Sequence, residues 1–243
     1  MEDKKSNDEN PGFLPGMVII GLALVICAFV VRSTMIQIKG FGRTIQVTGA
    51  AFKPITSDFA IWEGNLQTSA MSLAAASAKL SRDADAVKAF LNSSGFKEGE
   101  FEIGPVQVYR SYDREGQPTS YNLSQTIRTQ APDVARITQL STAASALIQQ
   151  GVELVSMPPR YVYTKLEDVK IEMIKAATEN AKLRAEQLAE TAGKEIGAPT
   201  SARVGVFQIR PIHSQEVSDY GINDVSSIEK EIVCTVNISF LVE

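Results

Sequence analysis

The chain has 243 residues, 44% of them hydrophobic and 21% charged, with 24 Lys+Arg against 28 Asp+Glu for a net charge of -4. A slightly acidic, mixed balance offers no basic footprint for displacing counterions from phosphates, so no nucleic-acid partner is expected. With 2 Cys and 1 His the chain can build neither a disulfide framework nor a four-ligand metal centre, and no metal or other cofactor is expected.

Residues 1–12 form a short polar head. Between Glu9 and Arg32 there is no charge, and Phe13 to Val31 is an almost unbroken apolar run of 19 residues. At about 1.5 Å per residue it spans roughly 28 Å as a helix, close to the hydrocarbon thickness of a bilayer. It is longer than a signal-peptide core, and its exit, Val30-Val31-Arg32-Ser33-Thr34-Met35, lacks the small-residue pattern of a cleavage site. Residues 13–31 therefore read as a retained transmembrane signal anchor. Flanking charges are nearly balanced, so export of the body rests on its length after a short head. Residues 32–42, with Gly40-Phe41-Gly42, read as a tether, and residues 43–243 as one folded domain. Cys27 lies within the anchor and cannot pair with Cys234 in the body.

In the body, Thr44 to Phe52 and Ile55 to Ser69 read as two strands broken at Lys53-Pro54, forming a buried hairpin or a sharply bent strand. Leu73, Ala76, Leu80, Ala84, Val87 and Leu91 recur at steps of three and four, the stripe of a helix over 71–92 that stops at Ser93-Ser94-Gly95. Phe101 and Ile103 alternate, a bulge at Gly104-Pro105 reverses the parity, and the strand continues to Tyr112. A turn over 113–118 returns the chain through a strand with one wet face, Tyr121 to Arg128.

Pro132-Asp133 opens a second helix ending at Gly151, and a strand broken at Pro158-Pro159 follows over 152–164. The longest helix runs from Leu166 to Ala192, with an apolar seam at Ile171, Ile174, Thr178, Ala181, Ala185, Leu188 and Ala192 that shrinks along its length. Ala202 to Ile209 reads as a strand. A polar connection over 211–227 leads to a last strand in which Ile232, Cys234, Val236, Ile238, Phe240 and Val242 alternate. The predicted fold class is α+β: two β-α-β-β units with mostly antiparallel sheet covered by helices, preceded by a single transmembrane helix.

These residues resemble the SIMPL-domain family of bacterial proteins of unknown function, which includes periplasmic immunogenic and oxidative-stress-defence proteins. The likeness lies in Ile45-Gln46-Val47-Thr48-Gly49, in Gly64 to Ala78, in Ser120-Tyr121, and above all in the Asn180 to Gly193 helix with Gly197 after it. The resemblance implies an extracytoplasmic α+β body tethered or exported at its N-terminus, a ring-like or channel-like homo-oligomer in at least one member, and no catalytic residues.

No residue pattern assembles a nucleophile, a base and oxyanion donors, so no enzymatic activity is expected. Cys234 falls in the apolar register of the last strand and reads as a small hydrophobe. His213 reads as a solvated loop residue despite Glu216, Asp219 and Asp224 nearby, and Trp62 as buried aromatic packing. Asn180 and Arg184 flank the small-residue seam, and the connection over 211–227 is longer than compact domains usually carry without a use. Asn180, Ala181, Arg184, Ala185, His213, Asp219 and Tyr220 are accordingly the candidate oligomer or partner contacts. The expected function is that of a non-enzymatic, homo-oligomerising envelope or stress-defence scaffold. It is expected to cross the inner membrane once, through residues 13–31, with its C-terminal domain in the periplasm or outside the cell. The alternative is a monomeric extracytoplasmic module that docks a partner protein or peptide. The sequence identifies no small-molecule ligand.

Overall fold

The computed structural model describes residues 21–32 and 44–243. The polar head, the first part of the anchor and nearly all of the tether lie outside the described residues. Helix α1 (21–32) exposes Leu22, Leu24, Ile26 and Phe29. No described helix is long and apolar enough to cross a membrane.

The body is mixed α+β, its sheets antiparallel except where Gln208-Ile209 pairs parallel with Ile222-Asn223. It divides into two compact units, one of residues 49–180 and 204–236, the other of residues 44–48, 181–203 and 237–243.

In the first of these units, β2 (Phe59–Ala70) and β5 (Pro118–Ala131) pair over eleven residues from Ala60↔Ala131 to Ala70↔Tyr121. β3 (Phe101–Ile103) and β4 (Gln107–Tyr112) continue the sheet beyond β5, while β6 (Leu154–Ser156) and β7 (Arg160–Val162) continue it beyond β2. β5 alternates with one wet face as predicted, and β2 alternates beside it. Ala60, Trp62, Leu66 and Leu123, Ile127, Ala131 face a core, whereas Glu63, Asn65, Gln67 and Ser124, Thr126, Arg128 face away from it.

Helix α2 (Leu73–Ser93) covers the apolar face with Ala76, Leu80, Ala84, Val87 and Leu91. Ser72 caps it by accepting from Ala75 N–H, and Gly95 stops it at φ 88°, a left-handed conformation that glycine adopts without a Cβ penalty. Asp133 caps α3 (Val134–Ala143) in the same way. The predicted second helix is broken at Ala144, and α4 (Ser145–Gln149) buries Leu147. Trp62 is fully buried, its indole N–H donating to Ser156 Oγ at 2.9 Å. It also accounts for Gly64: a Cβ there would lie 2.7 Å from the Trp62 ring and 2.9 Å from Leu154 Cδ1.

Two predicted strand boundaries are corrected. β1 (Thr44–Thr56) runs straight through Lys53-Pro54, the break falls at Ser57-Asp58, and β1 joins a different sheet from β2. The opening pair is therefore not a hairpin. β1 is the end strand of its sheet, where proline is tolerated because an outward N–H has no partner to lose. That second sheet has the order β1-β11-β9-β10, with β8 also against β11: β8 (Ile196–Val204), β9 (Gln208–Pro211), β10 (Ile222–Asn223) and β11 (Glu229–Val242). The predicted strand over 202–209 thus begins earlier, at Ile196, and is interrupted before β9. β11 keeps the expected alternation, with Lys230, Ile232, Cys234, Val236, Ile238 and Phe240 buried.

Helix α5 (Leu166–Thr191) corrects the predicted seam. Its buried row is Val169, Met173 and Ala177 in one unit and Ala181, Ala185 and Ala189 in the other. This is a strict step of four, one inclined ridge rather than a broad stripe. Ile171 and Leu188, assigned to the seam by alternating steps, are 77% and 54% exposed.

Candidate functional site

The predicted contact residues separate into two groups. On α5, Ala181 and Ala185 are completely buried, so their side chains are spent on packing within the chain and are not open to a partner. Asn180 Oδ1 accepts from Ala50 N–H at 3.1 Å, and Arg184 donates to Thr48 C=O at 2.9 Å. In a strand, residues two apart turn their backbone groups to the same side. Thr48 and Ala50 therefore both address the outer edge of β1, and Pro54, of the same parity, lacks its N–H on that side. Two polar side chains one helical turn apart satisfy strand-edge groups that would otherwise be a template for another chain.

His213, Asp219 and Tyr220 fall in the connection over 211–227, and this segment is built. Arg210 donates through Nη1 to Glu216 C=O at 3.1 Å and through Nε to Glu231 at 2.9 Å. Gln208 Nε2 donates to Ser218 C=O at 2.7 Å. Ser214 N–H closes a turn on Pro211 C=O, and Gly221, at φ 87°, closes another on Ser218 C=O. Beyond it β10 pairs parallel to β9, and Asp224 N–H donates to Ile209 C=O at 2.9 Å.

Lys230 locks the far side. It is 1% exposed, and its ammonium donates to Tyr161 C=O at 2.7 Å and to Asp224 C=O. Burial pushes its pKa below the ordinary lysine value against the pull of Asp224. Burial works on Asp224 in the opposite sense, but hydrogen bonds from Ser226 and Ser227 and the Lys230 charge outweigh it and hold the carboxyl below its usual value. Sequence reasoning missed Gln208, Arg210 and Lys230. A lone lysine in the apolar register of β11 was the available signal, since a buried charge must find partners.

Held in this way, the loop between Pro211 and Gly221 is a compact Ω-like turn that presents side chains outward. Tyr220 is 97% and Val217 75% exposed, and His213, at φ 68°, and Asp219 are exposed beside them. Cys234 is fully buried, and burial raises its thiol pKa, as expected of an inert core residue. A hollow of about 620 Å³ at the C-terminal end of α5, lined by Glu186, Glu190, Glu195 and Glu243 with Lys194, brings four carboxylates around one basic residue. Among the described residues no group of three His, Cys, Asp or Glu could hold a metal ion.

No curated protein matches the sequence. Among solved structures the chain is similar to the de novo designed protein Foldit4 (14% identity, TM-score 0.23, covering 41% of this chain and 93% of that one). It is also similar to an amidase of the hydantoinase/carbamoylase family from Burkholderia multivorans (14%, 0.26, 49% and 28%), and to a hydrolase from Listeria innocua (10%, 0.22, 79% and 91%). The chain spans little more than a quarter of that amidase. At these TM-scores the likenesses carry no functional argument. The family model of SIMPL, a protein of unknown function (DUF541), matches residues 45–240, and the chain belongs to that family.

Proposed function

We propose that this chain is a membrane-anchored, extracytoplasmic scaffold that self-associates and does no chemistry of its own, serving envelope organisation or stress defence. The carrying observation is the loop between Pro211 and Gly221. Two side chains from β9, Gln208 and Arg210, fix its backbone, while Tyr220 is left 97% exposed. An immobilised loop with an outward aromatic has already met much of the ordering cost of association, and tyrosine is among the side chains that dominate contact energies. The anchor reading is supported by the uncharged run over 13–31 and by the apolar side chains that α1 exposes. The resemblance to exported relatives supports a body in the periplasm or outside the cell, with a single inner-membrane pass.

The second reading is a monomeric module in which the same loop docks a partner protein or peptide. Two measurements on the full chain decide. Retention in the membrane pellet after alkaline extraction, with the body digested only by protease on the outer side, supports the anchored reading, whereas release by alkali removes it. Bifunctional cross-linking that gives multiples of the chain supports self-association. A single heterogeneous adduct supports the docking module.

A further inference from the structure

The outward face of the β2–β5 sheet carries a hollow of about 290 Å³ lined by Gln67, Ser69, Tyr109, Asn122, Ser124 and Glu153. Cross-strand pairing makes it: Gln67 lies opposite Ser124 and Ser69 opposite Asn122 between β2 and β5, and Tyr109 lies opposite Asn122 between β5 and β4. Its size is at the lower end of small-ligand sites, enough for one or two small rings rather than a dinucleotide or a folded partner.

Tyr109 is 61% exposed, and its hydroxyl donates to Gln107 Oε1 at 3.0 Å, which pins the ring against the hollow. Asn122 donates through Nδ2 to Ser111 Oγ at 2.8 Å. That bond fixes the amide and leaves Oδ1 as an acceptor. Among the described residues, the Gln67 amide and the Ser69 and Ser124 hydroxyls have no hydrogen-bond partner. Amides and hydroxyls donate and accept alike, so the wall offers both senses of hydrogen bond from several directions. The one charge, Glu153, is matched by Lys79 at 2.7 Å, so neither an anion nor a cation is favoured. The polar wall also disfavours a purely apolar guest. A neutral molecule with closely spaced hydroxyls and a flat carbon face satisfies every one of these features.

We propose that this hollow binds one or two rings of a neutral saccharide, with Tyr109 as the platform under the sugar and Gln67, Asn122 and the two serines addressing its hydroxyls. This goes beyond the scaffold reading and does not depend on it.

The test is calorimetric titration of the full chain, in a detergent without sugar headgroups, with maltotetraose, cellotetraose and tetra-N-acetylchitotetraose. At least one is expected to bind saturably, with a dissociation constant of about 0.1–1 mM given so small a contact. Tyr109→Ala and Gln67→Leu should each weaken it by about tenfold or more without changing the melting temperature or native mass, since both side chains are exposed. No saturable heat with any of the three, or binding that survives both substitutions, overturns the proposal. Either result leaves the oligomer question standing on its own measurement.

Discussion

Replacing Lys230 by Met removes the one charged group that reaches from β11 to both β7 and the connection. Met matches the stem of the side chain but donates nothing, so Tyr161 C=O and Asp224 C=O lose their ammonium donor in a site where the side chain is 1% exposed. Each buried acceptor left unsatisfied costs about 1–3 kcal/mol, so the two together cost about 2–6 kcal/mol, and part of this is returned by no longer burying a charge, giving a net loss of about 3 kcal/mol. For a body of this size that lowers the melting temperature by roughly 6–12 °C. The pH dependence has a defined sign. The folded-state pKa of Lys230 is depressed, so between that value and 10.5 the unfolded chain binds more protons than the folded one. The group's contribution therefore grows as pH rises through the window and falls as pH drops through the folded pKa. Thermal melts followed by circular dichroism at several pH values up to 10.5 compare wild type with Lys230→Met. A shift under 2 °C, or a difference that narrows toward pH 10.5, would refute the reasoning.

Gly64→Ala places a methyl against the Trp62 ring and Leu154 and should cost about 1–3 kcal/mol by overpacking, read as a lower denaturant midpoint with unchanged slope. The double substitution Asn180→Ala with Arg184→Ala should cost about 1–3 kcal/mol for two hydrogen bonds. It should also add time-dependent light scattering, because the edge of β1 is uncovered; a stable, non-aggregating variant would remove the edge-blocking role. In a Cys27→Ser chain, Cys234 should react with a thiol reagent only after unfolding, and prompt labelling of the native chain would contradict its burial.

Periodic burial was legible wherever one face of an element packs broadly. The α2 positions Ala76, Leu80, Ala84, Val87 and Leu91 and the β11 positions from Ile232 to Phe240 are buried as their spacing predicts. The α5 seam was misplaced because Ile171 and Leu188 are bulky, while the C-terminal part of the buried row, from Ala177 on, is alanine and offers little hydrophobic contrast. Pro54 suggested a break because proline usually ends a central strand, and its edge position is a tertiary fact that no local pattern carries. Among the candidate contacts, the connection over 211–227 was marked by its length alone, which does not show how it is held. The side chains that build it, Gln208, Arg210 and Lys230, act across folded strands and are visible only once β9, β10 and β11 are aligned.

Native mass of the full chain across a concentration series, compared between wild type and Tyr220→Ala by light scattering, tests the central claim most directly. Self-association through the ordered loop predicts a discrete multiple of 26.4 kDa for wild type and a shift toward the single chain for the variant, at an unchanged melting temperature. A wild-type chain that stays a single copy at every concentration would contradict the scaffold reading.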